Sequence, residues 1–151
     1  AGPDAEVRRF RAYLYLLPRQ LMGPLPDSIS WTTHIPIQCP GVGLRLHARV
    51  SNEGSLRLKP EWSTRLELSW LRRRVRLKPT GGQHRRRLRN IFQESRIPPW
   101  ERRRLPMISR DGVAIGIPGV VLVDGFAAAA GHEGVEICLE DLLLRRDGGP
   151  L

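Results

Sequence analysis

The stretch that decides the fold, residues 84–106, reads HRRRLRNIFQESRIPPWERRRLP. Leu88, Ile91 and Phe92 have the i, i+3, i+4 spacing of one helix face, which predicts an amphipathic helix over residues 84–95. Basic and amide side chains then fall on the opposite face. The stretch therefore predicts a helix that packs by one face and turns cations towards solvent with the other.

Prolines shape the rest of this stretch. Pro98 must end the first helix, because a proline disfavours helical geometry at the residue before it. Pro99 suits the first turn of a second helix, where its missing N–H costs nothing. We predict this helix over residues 100–104, before Pro106. Trp100, between two prolines and a charged turn, is predicted to be a packing anchor rather than a platform for base stacking.

Strand patterns lie on both sides of the predicted helix pair. Before it, strands are expected at residues 7–17, 29–33, 35–38, 44–50, 56–58 and 65–76. After it, they are expected at 106–109, 113–117, 120–123 and 135–139. The Asp111-Gly112 pair is a strong hairpin signal, residues 19–28 predict a loop, and residues 127–130 fit either a helical turn or a loop. The predicted fold class is α+β, with β-sandwich-like strands and a short basic helix pair packed on them.

Positive charge is concentrated in one segment. The 34 residues from Leu71 to Arg104 contain 13 Lys and Arg but only two acids, a charge of about +11, whereas the other 117 residues sum to about −1. Local charge density neutralises phosphates, and binding is driven by the release of condensed counterions. The segment therefore favours a nucleic acid as the partner over an acidic small molecule.

The candidate RNA contacts are cations and amides of this segment, which can hydrogen-bond phosphates. They are Arg72, Arg74, Arg76, Lys78, Arg85, Arg86, Arg89, Asn90, Gln93, Arg102, Arg103 and Arg104. The alternating cations at 72–78 are expected to project from one face of a strand. Replacing Arg86 and Arg89 by alanine is predicted to flatten the salt dependence of binding without unfolding the domain.

Motifs for catalysis or metal binding are not recognised in the sequence. Residues 80–84, TGGQH, lack the spacing and the hydroxyl of a phosphate-binding loop. His34, Cys39 and His47 are three ligands without a CxxC pair, where zinc needs four. We therefore predict no catalytic residue, metal or cofactor in this chain, and two reduced thiols, with a Glu–His pair formed only in three dimensions left open.

The most apolar segment and the start of the chain indicate the expected cellular compartment. The most apolar stretch, residues 113–130, is interrupted by Pro118 and Asp124, so no membrane span is predicted. The start, AGPDAE, lacks an initiating Met and a signal peptide, and is expected to be the cut edge of a longer protein. The cytoplasm is the expected compartment.

Residues 88–106 resemble the signature of the C-terminal domain of bacterial tRNA(Ile)-lysidine synthetases. That family reads basic-Leu-Lys-Lys-Leu-Phe-Gln-Glu, then Ile-Pro-Pro-Trp, then an acid and a basic run before Leu-Pro. Residues 13–16 and 29–31 also resemble the family's lead into the domain, so the resemblance covers nearly the whole chain. It implies a lead-in strand and linker at 1–28, a tRNA-binding domain at 29–145 and a tail at 146–151.

The resemblance also implies a function. The family is an ATP-dependent ligase that adenylates the wobble cytidine of an isoleucine tRNA and lets lysine displace AMP. Its C-terminal domain, similar to a domain of the phenylalanyl-tRNA synthetase β-chain, would hold the tRNA body near the acceptor stem, by shape and phosphate contacts. ATP and Mg²⁺ would be used by the N-terminal catalytic domain. The implied partners are tRNA(Ile) and that domain, and a homodimer stays open.

Three departures from the family pattern matter. Residues 71–74, LRRR, replace a Gly-Gly-acid-Arg turn, and Asn90 stands where a second Lys is common. The sequence has no Ser-Gly-Gly-x-Asp-Ser loop, which grips ATP in the family, so the chain is expected to be inactive alone. Two alternatives remain at this point. One is a self-standing nucleic-acid-binding protein of the helix-turn-helix kind, and the other is a basic domain that docks an acidic partner.

Overall fold

The computed structural model describes residues 5–10, 13–18, 28–39, 41–54, 56–70 and 74–142. The strands are β1 (Ala5–Phe10), β2 (Tyr13–Pro18), β3 (Ile29–Trp31), β4 (Ile37–Cys39), β5 (Leu44–Ser51), β6 (Arg57–Leu58), β7 (Leu66–Ser69), β8 (Arg76–Leu77), β9 (Arg86–Arg87), β10 (Met107–Arg110), β11 (Val113–Ile117), β12 (Val121–Leu122) and β13 (Gly134–Asp141). The helices are α1 (Leu88–Glu94) and α2 (Pro99–Arg102), with a short 3-10 turn at Pro60–Trp62.

Two antiparallel sheets form the body of the molecule. One has the strand order β12-β11-β10-β7-β3 and the other β4-β5-β13-β6. Alternate side chains of both sheets enter one hydrophobic cluster, for example Leu68 and Ile115 from the first sheet and Leu46 and Leu58 from the second. Shared burial of this kind is what holds two sheets face to face. The predicted α+β, sandwich-like fold is therefore confirmed.

A second hydrophobic cluster seats the basic segment on the first sheet. Leu88, Ile91 and Phe92 of α1 are buried against residues that include Met107 and Ile117. The apolar stripe predicted from the spacing is thus confirmed. Trp100 is only 6% exposed, which also confirms its predicted role as a packing anchor.

The hairpin turn was predictable because its chemistry is local. β10 and β11 pair antiparallel across Asp111 and Gly112, whose φ angles are 50° and 79°. Two successive positive φ angles are typical of the type I′ turn, which Asp-Gly favours.

Several predicted boundaries were wrong. Residues 7–17 form parts of a hairpin, β1 with β2, rather than one strand, because period-two alternation does not mark where a chain reverses. The strand expected at 65–76 ends at Ser69, and residues 71–73 lie outside the described part. Residues 127–130, for which a helical turn and a loop were both left open, are not helical, and Ala127 bridges to Leu58.

The first predicted helix begins four residues late. Arg86 and Arg87 form β9 and pair with Arg76 and Leu77 of β8, so pairing overrides the helical pattern there. The second helix ends at Arg102 rather than at residue 104. Within the described ranges, none of the helices has the length and apolar character that a membrane crossing needs.

Candidate nucleic-acid interface

A groove of about 820 Å³ opens beside β8, β9, α1 and α2. Among the described residues that line it, six are arginines: Arg74, Arg76, Arg87, Arg89, Arg102 and Arg103. The other four are apolar: Trp70, Val75, Leu88 and Phe92. We call this site the arginine groove. The described residues that line it include no Asp or Glu, so the groove concentrates positive charge over an apolar floor.

Strand pairing places two of these cations opposite each other. Arg76 and Arg87 are register partners across β8 and β9, while Leu77 of β8 is buried. Like charges directly opposite each other destabilise a strand pair. An anion bound between the two guanidinium groups would therefore stabilise this strand pair.

Arg102 is held in place at the other side of the groove. Its Nε donates a hydrogen bond of 2.7 Å to the carbonyl of Ile97, and its guanidinium carbon lies 5.8 Å from the centre of the Phe92 ring. Ile97 is itself fixed by the end of α1, where its N–H bonds the carbonyl of Phe92 and the N–H of Arg96 bonds that of Gln93. This is a Schellman motif, with Arg96 in the left-handed conformation at φ 58°.

Arg74 enters the groove from a strained backbone. Its φ of 48° lies in the left-handed region, which a residue with a Cβ adopts at a cost. Arg96 and Asp111 adopt the same region at a helix end and at a hairpin turn, so the conformation of Arg74 positions its side chain and is not itself a sign of a ligand.

The prediction that Arg104 contacts RNA is wrong. Its side chain is 1% exposed, and all five of its N–H donors are used inside the protein. Nε donates to the carbonyl of Val42 at 2.8 Å, and Nη2 donates to that of Gly43 at 3.1 Å. Nη1 donates to the carboxylate of Glu101 at 3.0 Å. Both Nη atoms donate to the carboxylate of Asp141, each at 2.8 Å. Arg104 thus ties α2 to the end of β13.

Burial and ion pairing have opposite effects on the pKa values of the charged groups in this network. Burial opposes the charge of Arg104, but the hydrogen bonds and charges of Asp141 and Glu101 raise its pKa. For Glu101 burial is the larger effect, and its pKa is raised although the charge and hydrogen bond of Arg104 act the other way. The network is therefore an internal tie rather than a ligand site.

Two other predicted contacts already have acidic partners. Arg86 forms a two-pronged bond with Glu94, with 2.7 Å between Nη1 and Oε2, and Lys78 lies 3.3 Å from Asp124. The hydrogen bond from Arg86 lowers the pKa of Glu94. Neither cation lines the groove.

The remaining predicted contacts divide by position. Arg74, Arg76, Arg89, Arg102 and Arg103 come together in the groove, and their contact with RNA stays a prediction. Arg85, Asn90 and Gln93 are exposed but are not among its lining residues. Arg72 lies outside the described residues.

Among the described residues that line the groove, Arg87 is the arginine that the sequence analysis missed, and the four apolar lining residues were not predicted as site residues either. The helix predicted over residues 84–95 contained it, whereas the structure places it in β9 and in the groove lining. The signal that could have found Arg87 is the alternation at residues 75–78, Val-Arg-Leu-Lys, which contains β8 and offers a short strand for it to pair with.

Metal and helix-turn-helix sites find no support in the part of the chain that the structure describes. There, His, Cys, Asp and Glu side chains form no group of three that could hold a metal ion, so His34, Cys39 and His47 are not a cluster. Helix α2 has four residues, too few for a recognition helix in a DNA groove.

Comparison with known proteins shows similarity to tRNA(Ile)-lysidine synthases. The family model described as "TilS substrate C-terminal domain" matches residues 66–139. A tRNA(Ile)-lysidine synthase of Edwardsiella ictaluri is 33% identical over 127 residues, 83% of this chain and 28% of that protein. One of Serratia proteamaculans is 32% identical over 130 residues, 85% of this chain and 28% of that protein.

A solved structure supports the fold. The crystal structure of a TilS C-terminal domain superimposes with a TM-score of 0.50 and 22% identity, covering 66% of this chain and 85% of that one. The present chain spans about 28% of the length of the curated relatives named above. With its family match, its relatives and its fold in agreement, the chain belongs to the C-terminal domain family of the tRNA(Ile)-lysidine synthetases.

Proposed function

We propose that this chain is the tRNA-holding part of a tRNA(Ile)-lysidine synthetase, and that the arginine groove binds the RNA. The names of the relatives supply the substrate, an isoleucine tRNA. The groove supplies the binding surface, because six arginines line it without an acid among its described lining residues. That cluster of cations is the single observation on which the proposal depends.

Counterion release is the physical basis of this binding. Each phosphate neutralised by an arginine frees condensed cations, so affinity falls as salt rises. If about four groove arginines contact phosphates, the logarithm of affinity should fall against the logarithm of salt with a slope of roughly −3 to −4. Guanidinium groups also bind phosphates bidentately, which adds geometric definition.

The chemical step is assigned to another part of the polypeptide. The sequence of this chain contains no Ser-Gly-Gly-x-Asp-Ser loop with which to grip ATP. We therefore give ATP, Mg²⁺ and the ligation to a catalytic domain that would be this domain's second partner, in the cytoplasm. Held alone, the domain is expected to bind tRNA and to form no lysidine.

Two double variants of equal charge test the groove. Arg87→Ala with Arg89→Ala removes two groove cations, while Arg45→Ala with Arg49→Ala removes two cations that pair with Glu140 and Glu136 elsewhere. Binding of tRNA(Ile) to the 151-residue chain is measured from about 50 to 200 mM salt, with circular dichroism to check folding.

We expect the salt slope to become shallower by about 1.5 to 2 for the groove variant only. Equal losses in both variants would mean that net charge alone drives binding. Unchanged slopes in both would place the RNA on another surface. Salt-sensitive binding to the catalytic domain without RNA binding would favour a basic interaction domain, and a preference for duplex DNA would favour a self-standing DNA-binding protein.

A further inference from the structure

We infer that the arginine groove takes an unpaired nucleotide of the RNA, with its base against the apolar floor and its neighbouring phosphates on the arginines. This inference rests on the proposed function and deepens it. It differs from the expectation that the domain holds only the outside of a duplex stem.

The shape of the site is the first reason. The groove is a concavity of about 820 Å³, within the range of about 300–1,000 Å³ typical of pockets that enclose a small organic ligand. A duplex presents phosphates on convex ridges and keeps its bases stacked inside, so phosphates alone need a charged surface and not a recess. A recess this large fits a base that has left the stack.

The apolar floor is the second reason. Trp70, Val75, Leu88 and Phe92 line the groove together with the arginines. A phosphate gains nothing from apolar neighbours, whereas the face of a base does. The Trp70 ring is also fixed, since its Nε1 donates a hydrogen bond of 2.8 Å to the carbonyl of Arg104.

The placement of the arginines is the third reason. Arg102 is held by the Ile97 carbonyl and the Phe92 ring, which gives the groove a planar cation whose orientation is set before binding. Bases stack on guanidinium planes of this kind. Arg76 and Arg87 face each other across two strands and can take the phosphates on either side of the base.

Three RNA hairpins with one stem sequence separate base binding from phosphate binding. The first is blunt, the second carries a single-stranded 3′ overhang of about four nucleotides, and the third carries an overhang of the same length made of abasic nucleotides. The third RNA keeps the phosphates of the overhang and removes its bases. Dissociation constants for the 151-residue chain are compared at one salt concentration.

We expect the overhang with bases to bind about 10-fold more tightly than the abasic one. A 2-aminopurine in the overhang should lose fluorescence on binding, because its ring stacks. Equal affinities for the two overhangs would overturn the inference and leave the proposed function standing. Failure of all three hairpins and of tRNA(Ile) to bind would instead overturn the proposed function.

A conservative substitution tests the stacking directly. Arg102→Lys keeps the charge and removes the planar group, so it should abolish most of the preference for the overhang with bases while leaving the salt slope unchanged. Arg49→Lys, at a residue that pairs with Glu136 and is outside the groove lining, is the matched control and should change neither. Thermal unfolding of both variants confirms that they are folded. An Arg102→Lys variant that is folded and retains the full preference would contradict the inference.

Discussion

Two pairs of strands in this molecule carry arginines in the same cross-strand geometry but with opposite partners. In β5 and β13, Arg45 faces Glu140 and Arg49 faces Glu136, each with 3.1 Å between nitrogen and oxygen. In β8 and β9, Arg76 faces Arg87. The first pairing joins each cation to a carboxylate, and the second places two cations opposite each other.

The difference separates arginines that are paired with carboxylates from arginines that face each other, and the proposed RNA binding depends on the second kind. Opposite charges facing each other across strands contribute roughly 0.2–1 kcal/mol, and like charges cost a similar amount. A fold that was selected only for stability would place an acid opposite Arg76. The like-charge pair is instead what a surface for a polyanion requires.

The largest difference in stability is expected between two neighbours in the run Arg102-Arg103-Arg104. Arg104→Met should destabilise the domain by about 3–5 kcal/mol, because it leaves Glu101 and Asp141 partly buried without their cation. Arg103→Met, its neighbour in the groove lining, should cost no more than about 1 kcal/mol, because its side chain is exposed and exposed contacts contribute little. Urea unfolding of both variants measures the difference. Similar losses of stability in the two variants would contradict the conclusion that Arg104, unlike Arg103, supports the fold.

A charge reversal can convert the second pairing into the first. Arg87→Glu would place an acid opposite Arg76, as in β5 and β13, and should stabilise the domain by roughly 0.2–1 kcal/mol. The same change should weaken tRNA binding by about 10-fold or more near 100 mM salt, because it removes two units of charge from the groove. Thermal unfolding and a binding titration on the same protein test both signs. A variant that lost stability and kept its RNA affinity would contradict the comparison.

A smaller effect should appear in the pH dependence of the internal tie. The raised pKa of Glu101 means that its ionisation opposes folding. The contribution of Glu101 to the stability of the folded domain should therefore become less favourable as pH rises. The change begins near pH 4, the ordinary pKa of a glutamate, and continues through the raised pKa of Glu101 in the folded state. Glu101→Gln removes this titration, so the stability of the variant relative to the parent should increase as pH rises above about 4. The opposite trend would show that pairing with Arg104 outweighs burial.

Much of the fold and part of the groove were predictable from the sequence. The stripe of Leu88, Ile91 and Phe92, the Asp111-Gly112 turn and the anchoring role of Trp100 all depend on neighbours within a few residues. Strand lengths near the basic segment were predicted less well, because pairing with a distant strand overrode helical periodicity at Arg87.

Arginines were the residues whose roles sequence patterns could not separate. Arg57 is 2% exposed and donates to the carbonyls of Gly54, Ser51, Ala129 and His132, although nothing in its local sequence marks it as buried. Among the basic run, Arg104 was predicted as an RNA contact like its neighbours. Its acceptors include Asp141 and the Val42 carbonyl, 37 and 62 residues away along the chain.

The sequence by itself determined where the positive charge is concentrated, which face of α1 is apolar and where the last hairpin turns, because each of these is set by residues close together in the chain. Only the tertiary structure decided which cations are consumed by the fold and which line the groove. A guanidinium has the same intrinsic charge everywhere, and its role depends on whether packing brings carboxylates and carbonyls to its five donors or leaves it beside other arginines.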